Sequence, residues 1–204
     1  MAYEVIIERT TECPTAVVKA NTTWRKFPTL WPAMLDEVWA FLGATSGLHT
    51  EGHNVMLYRN DIPEVEVAVE AGVQVTESVE ALSRIVGSTL PAAETAATAH
   101  TGTPAEIGAA HDAVRAWCSA QRRELTGVAW EIYGDPDPQT GHFDVVVCWQ
   151  LAESGGGDQR RRQRIQQLHT RAAGSPTSSR IGQQRCGMRQ LARLAHHPGT
   201  WWTQ

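Results

Sequence analysis

The chain has 204 residues, 42% of them hydrophobic, which is enough for one ordinary domain or two small ones with a sizeable core. Its formal charge of −4, from 18 Lys and Arg against 22 Asp and Glu, excludes a bulk attraction to nucleic acid or to an acidic membrane. Four cysteines without a CxxC pair argue against a zinc ribbon or a disulfide scaffold and fit a reducing cytoplasm. Glu4, Glu8 and Arg9 interrupt the apolar opening, which is wrong for a secretory leader, and no run approaches the ~18 apolar residues that span a bilayer.

In chain order, Tyr3 to Arg9 and Thr15 to Ala20 read as strands. Pro32 stands in the first turn of a predicted helix whose Leu35, Val38, Trp39 and Leu42 recur at three- and four-residue steps, with Gly43 or Gly47 as its stop. Strands follow in NVMLYRND from Asn54 and VEVAVEAGVQV from Val65. A second series repeats this order: PAAETAATAHTGT from Pro91, a helix with the stripe Ile107, Ala110, Val114, Trp117 and Cys118, then VAWEIYGDPD from Val128 and FDVVVCWQL from Phe143. Pro14 to Tyr58 is 44 residues and Pro91 to Tyr133 is 42, so the two tyrosines hold matching places.

Two βαββ units predict an α+β fold: an antiparallel sheet with both helices on one face and a ligand cleft on the other. The expected domain is 1–151, with halves at about 1–80 and 81–151. Residues 152–204 begin with the linker SGGGD and are rich in Arg and Gln. They read as a poorly packed or partly disordered tail, with one helix near 158–173. The charge divides at the same place. Residues 1–151 hold nine basic and 20 acidic residues, net −11, whereas the tail holds nine arginines against Glu153 and Asp158, net +7.

Strand alternation puts Val128, Trp130 and Ile132 on one side and Ala129, Glu131 and Tyr133 on the other. The first set suits a helix-packed core, which leaves Glu131 and Tyr133 for the open face. Tyr58, with Met56 two residues before it, falls across the same cleft, and Trp24 after the first-unit strand is placed to lean over it. A carboxylate among aromatic faces describes a trap for a lipophilic cation. Spacing alone leaves the other reading open, a solvated glutamate on an exposed strand. Trp39, Trp117 and Trp130 fall on stripes expected to be buried, while Trp149 has both a core and a pocket reading.

The run HTGTPAEIGAAHDAVRAWC, then GVAWEIYGDPDP and FDVVVCWQL, resembles the GyrI-like small-molecule-binding domain, which is also the effector-binding domain of AraC-type and MerR-type regulators. The resemblance covers roughly 1–151 and is strongest from His100 to Leu151. It implies duplicated βαββ modules around a cleft for lipophilic, often cationic compounds, with the family's acidic residue at Glu131 and its tyrosine at Tyr133. Thr103-Pro104 departs from it, because an aromatic often follows the His-x-Gly turn there; the tail after Leu151 departs from it too.

The expected function is therefore multidrug-type sensing or binding of a small lipophilic, cationic compound at Glu131, Tyr133, Tyr58, Met56 and Trp24, in a stand-alone, cytoplasmic, transcription-regulator-type domain. The alternative is a hydrolase of reactive lipophilic molecules with Glu131 as general base and Tyr133 or Tyr58 as donor. No cofactor, no metal and no membrane partner are expected; a protein partner is left open, and nucleic-acid contact is left only to the basic tail. His49 and His53 are four apart, but Gly52 makes that segment a loop and not a zinc-binding helix. His111 lies beside the helix stripe as core or rim.

Overall fold

A computed structural model describes residues 3–45, 47–48, 52–62 and 66–153, so the expectation for the tail lies outside the described residues. The elements are β1 (Ile6–Arg9), β2 (Cys13–Thr22), α1 (Phe27–Ala44), β3 (Asn54–Ile62), β4 (Glu66–Gln74), β5 (Ile85–Leu90), β6 (Glu94–Gly102), α2 (Gly108–Ala120), β7 (Leu125–Pro136) and β8 (Phe143–Leu151). All strands join one antiparallel, eight-stranded sheet in the order β1-β6-β8-β7-β3-β4-β2-β5. The α+β class and the duplicated unit are thus as the sequence implied.

The duplication is longer than βαββ. Strand β5, which the sequence pattern did not reveal, precedes the second unit as β1 precedes the first. Each of these strands crosses to the other half: β1 pairs with β6, and β5 pairs with β2. Neither half therefore completes its own sheet edge. At the centre β3 pairs with β7, with Met56 opposite Glu131, Tyr58 opposite Ala129 and Asn54 opposite Tyr133. The pseudo-twofold axis runs through the Met56–Glu131 pair, and it relates Tyr58 to Tyr133.

Helix α1 starts one turn earlier than predicted. Phe27 is buried and sets its ring edge-on against Tyr58, 5.7 Å between centroids, and Pro28, not Pro32, occupies the first turn. Pro32 lies inside the helix. Met34, Leu35, Val38 and Leu42 form its buried stripe, and Ala110, His111, Val114 and Cys118 form that of α2 at the same spacing. Both stripes join one core with Ala16, Val18, Met56, Tyr58, Val69, Val73, Ala129, Val145, Val147 and Trp149.

The helices thus cover the face that carries Ala129, Glu131 and Tyr133, the reverse of the assignment made from alternation. Trp130 and Ile132 point to the other side, where they join Cys13, Val55, Leu57, Leu90, Ala97 and Cys148 in a second buried cluster. A period of two sorts side chains onto two faces but does not say which face the helices cover. At Gly72 a Cβ would lie 1.9 Å from the carbonyl oxygen of Ala16, so only glycine lets β4 and β2 approach this closely. No helix among the described residues is long and apolar enough to cross a membrane.

Candidate functional site

Glu131 sits mid-sheet on β7, with Met56 of β3 on one side and Val147 of β8 on the other. Its side chain is 2% exposed. The Tyr58 hydroxyl donates to Oε2 at 2.8 Å and the Tyr133 hydroxyl donates to the same oxygen at 2.7 Å. The twofold relation of the tyrosines explains how both reach one atom. His111 of α2 places Nε2 2.7 Å from Oε1, and the indole N–H of Trp149 donates to Nδ1 of His111 at 3.0 Å.

These bonds define the protons. An indole nitrogen only donates, so Nδ1 of His111 accepts and Nε2 carries the hydrogen that points at Oε1. Burial, and then the charge of Glu131, pushes the Tyr58 phenol well above its usual range. The same causes in the same order raise Tyr133, so both stay protonated donors. Three donors converge on one carboxylate. Among the described residues no Lys or Arg lies within ion-pair distance of Glu131.

Glu70 of β4, 6% exposed, is the contrast. Its Oε1 lies 3.0 Å from Lys19 Nζ and 3.8 Å from Arg59 Nε, and Oε2 accepts from the Ser88 hydroxyl at 2.5 Å. Positive charge answers that carboxylate within the fold; among the described residues no Lys or Arg does so for Glu131.

Aromatic rings surround Glu131. Trp24, 46% exposed, packs on Tyr58 at 5.0 Å between centroids, and Phe143 meets Tyr133 edge-on at 5.9 Å. His111 meets Tyr58 at 6.1 Å and Trp149 at 5.7 Å, both edge-on, and the Arg115 guanidinium lies 5.4 Å from the Trp149 ring centroid. Of the residues expected at the site, Glu131, Tyr133, Tyr58, Met56 and Trp24 are brought together. They lie under the helix-covered face, not on an open one.

His111, Trp149, Phe27 and Phe143 were not assigned to the site from sequence. The signal for His111 was its place in the stripe with Val114 and Cys118, where a polar side chain must find a buried partner. Trp149 is buried in the core and hydrogen-bonds His111. Trp130 is buried as expected, but in the second cluster, while Trp39 and Trp117 are only partly buried; Trp39 donates to Asn54 Oδ1 at 2.9 Å. At the departure after the His-x-Gly turn, Thr103 and Glu106 form a capping box ahead of α2. His49 lies outside the described residues, and among those described no group of three or more His, Cys, Asp and Glu is placed to hold a metal ion.

The duplicated antiparallel sheet with paired helices over a central acid is a fold shared with solved structures, as the resemblance implied for the architecture. The C-terminal domain of EcmrR is similar to this chain, with a TM-score of 0.62 at 17% identity, covering 75% of this chain and 99% of that domain. In the EcmrR–DNA complex the TM-score is again 0.62 at 18% identity, and the match covers 75% of this chain and 59% of EcmrR. SAV2435 bound to tetraphenylphosphonium matches with a TM-score of 0.55 at 12% identity, over 76% of this chain and 97% of SAV2435. At these identities the likeness is one of fold. Neither a family model nor a curated protein matches the sequence.

Proposed function

We propose that residues 1–151 are a binding module for a small lipophilic cation, received at Glu131 with Tyr58, Tyr133, Met56 and Trp24, and that the module senses such compounds as effector-binding domains of regulators do. The observation that carries this reading is the setting of Glu131: a carboxylate 2% exposed that accepts from two phenols and one imidazole N–H and, among the described residues, meets no Lys or Arg. Desolvating an ion costs several kcal/mol, on the order of what a paired counter-charge returns. A bound cation supplies that counter-charge, and aromatic faces add about 0.5 to 2 kcal/mol when desolvated. Trp24 is the exposed end of a row that leads through Tyr58 to Glu131. The tetraphenylphosphonium complex of SAV2435, which shares the fold, supports the same class of ligand. The net −11 of residues 1–151 favours the approach of cations.

The test is a tryptophan-fluorescence titration with tetraphenylphosphonium on the wild type and Glu131→Gln, with triphenylphosphine oxide as the neutral control. The expected result is quenching by the cation, weakened about tenfold or more by Glu131→Gln, a factor equal to ~1.4 kcal/mol. Equal binding by the two proteins, or equal affinity for the neutral compound, overturns the reading. Hydrolysis gains less from this geometry. A general base must reach a water, whereas Glu131 is 2% exposed, three donors already take three of its roughly four acceptor positions and both phenols are held in their protonated form.

A further inference from the structure

The reading above requires that Glu131 keep its charge uncancelled, and His111 is the residue able to cancel it. A second proton on His111 would turn the site into an imidazolium–carboxylate pair with no net charge for a cation to meet. We propose that Trp149 sets the charge of the site: its indole N–H, donated to Nδ1, locks His111 as the neutral Nε2–H tautomer, which supports Glu131 without neutralising it. Trp149 is thus a positioning residue acting through His111, and the inference rests on the cation-binding reading for its purpose but not for its chemistry.

Three observations carry it. Nδ1 is occupied by a group that has no lone pair in the ring plane to accept a proton's hydrogen bond, so protonating Nδ1 sets two hydrogens against each other in a place 5% exposed at Trp149. Trp149 is itself held between Val147 on its own strand face and the Arg115 guanidinium over its ring. His111 is itself 9% exposed, and burial opposes a second proton on its ring. The charged and titratable groups on the elements around His111 include Glu131, Tyr133 and Asp135 from β7, Asp144 and Cys148 from β8, Tyr58 and Arg59 from β3, His100 and Glu94 from β6, Glu106 from the turn ahead of α2, and Asp112, Arg115 and Cys118 from its own helix. Glu94 is paired with Arg123, Asp112 with Arg115, and His100 Nδ1 with the Tyr3 hydroxyl. Glu131 is the group that favours the second proton, and Trp149 is the group that blocks it.

Long-range proton–nitrogen NMR of the intact chain, with His111 assigned through His111→Gln, tests the lock without any ligand. The expected spectrum has Nε2 protonated and Nδ1 bare from about pH 8 down to about pH 5.5, below the ordinary imidazole value of ~6.5. An imidazolium signal for His111 in the wild type within that range overturns the proposal. The second arm is calorimetry with tetraphenylphosphonium. Trp149→Phe keeps the ring and removes the N–H, so its affinity should fall about tenfold from pH 8 to 5.5, against less than about twofold for the wild type. Trp149→Phe with His111→Gln should be flat again, because glutamine still donates to Glu131 and does not titrate. A flat profile in folded Trp149→Phe also overturns the proposal. If no protein binds the cation, the proposed function fails, and the wild-type spectrum alone decides the role of Trp149.

Discussion

In the first half of the chain Leu35, Met56 and Val73 occupy the positions that His111, Glu131 and Trp149 occupy in the second. The helix stripes match at Leu35 and His111, the twofold axis pairs Met56 with Glu131, and Val73 and Trp149 hold corresponding places on β4 and β8. All six are buried, at 7%, 3% and 0% against 9%, 2% and 5% exposure. One half answers burial with apolar packing, which needs no partner; the other answers it with a linked set of donors and acceptors in which each polar atom satisfies the next. Only the tyrosines stay symmetric, and both serve the single acid because it lies on the axis. A second carboxylate at Met56 would face Glu131 directly across the β3–β7 pair, and like charges so placed suppress each other's ionisation. A duplicated scaffold thus builds an asymmetric site by changing three positions of one copy.

The largest effect expected on this contrast comes from the helices. His111→Leu deprives Glu131 of a donor and leaves the Trp149 N–H unanswered, at a cost of about 2 to 4 kcal/mol. Leu35→Met, a volume-conserving change at the matched position, should cost less than about 1.5 kcal/mol. Urea unfolding of both variants decides it, and equal losses would break the comparison.

The next effect separates the phenols from the solvent-exposed charges. Burial, and then the charge of Glu131, raises Tyr58 and Tyr133 in the folded state, whereas in the unfolded chain a phenol titrates near ~10. Their contribution is complete below that pH. Above it the unfolded chain releases protons that the folded chain retains, so stability falls as pH rises, by up to ~1.4 kcal/mol per unit for each phenol. Tyr133→Phe should remove about half of that slope in denaturation curves taken between about pH 10 and 11. An unchanged slope would show that the tyrosines ionise freely.

The smallest effect concerns the other buried carboxylate. Glu70→Gln loses its attraction to Lys19 and Arg59, whose side chains are half-exposed, and should cost about 1 kcal/mol or less. It should leave tetraphenylphosphonium affinity as it was. A loss of affinity there would mean that cation binding depends on the acidic domain as a whole and not on Glu131.

Much of this arrangement was legible in the residues themselves. The repeated order of elements, the matched Tyr58 and Tyr133 and the Glu-x-Tyr of β7 come from local pattern, and local pattern is what a linear reading detects. Strand β5 was missed because IVGSTL is short and carries neither alternation nor a long apolar run. His111 was left beside the helix stripe because a lone histidine on an amphipathic helix has no local partner, and its partners lie 20 and 38 residues away. Trp130 and Glu131 were sorted correctly onto opposite faces and then given the wrong ones.

What the sequence by itself determined is which residues travel together: alternation set Glu131 with Tyr133, helical spacing set Ala110 with Val114 and Cys118, and the repeat matched Tyr58 with Tyr133. Only the tertiary structure decided which groups meet, because the crossing of β1 and β5, the close approach of β4 to β2 at Gly72 and the packing of α2 over β6 and β8 are long-range choices. Those choices put the helix-borne His111 above a strand-borne glutamate. They also closed the second face around Trp130 and, among the described residues, left the buried Glu131 with no Lys or Arg to pair it.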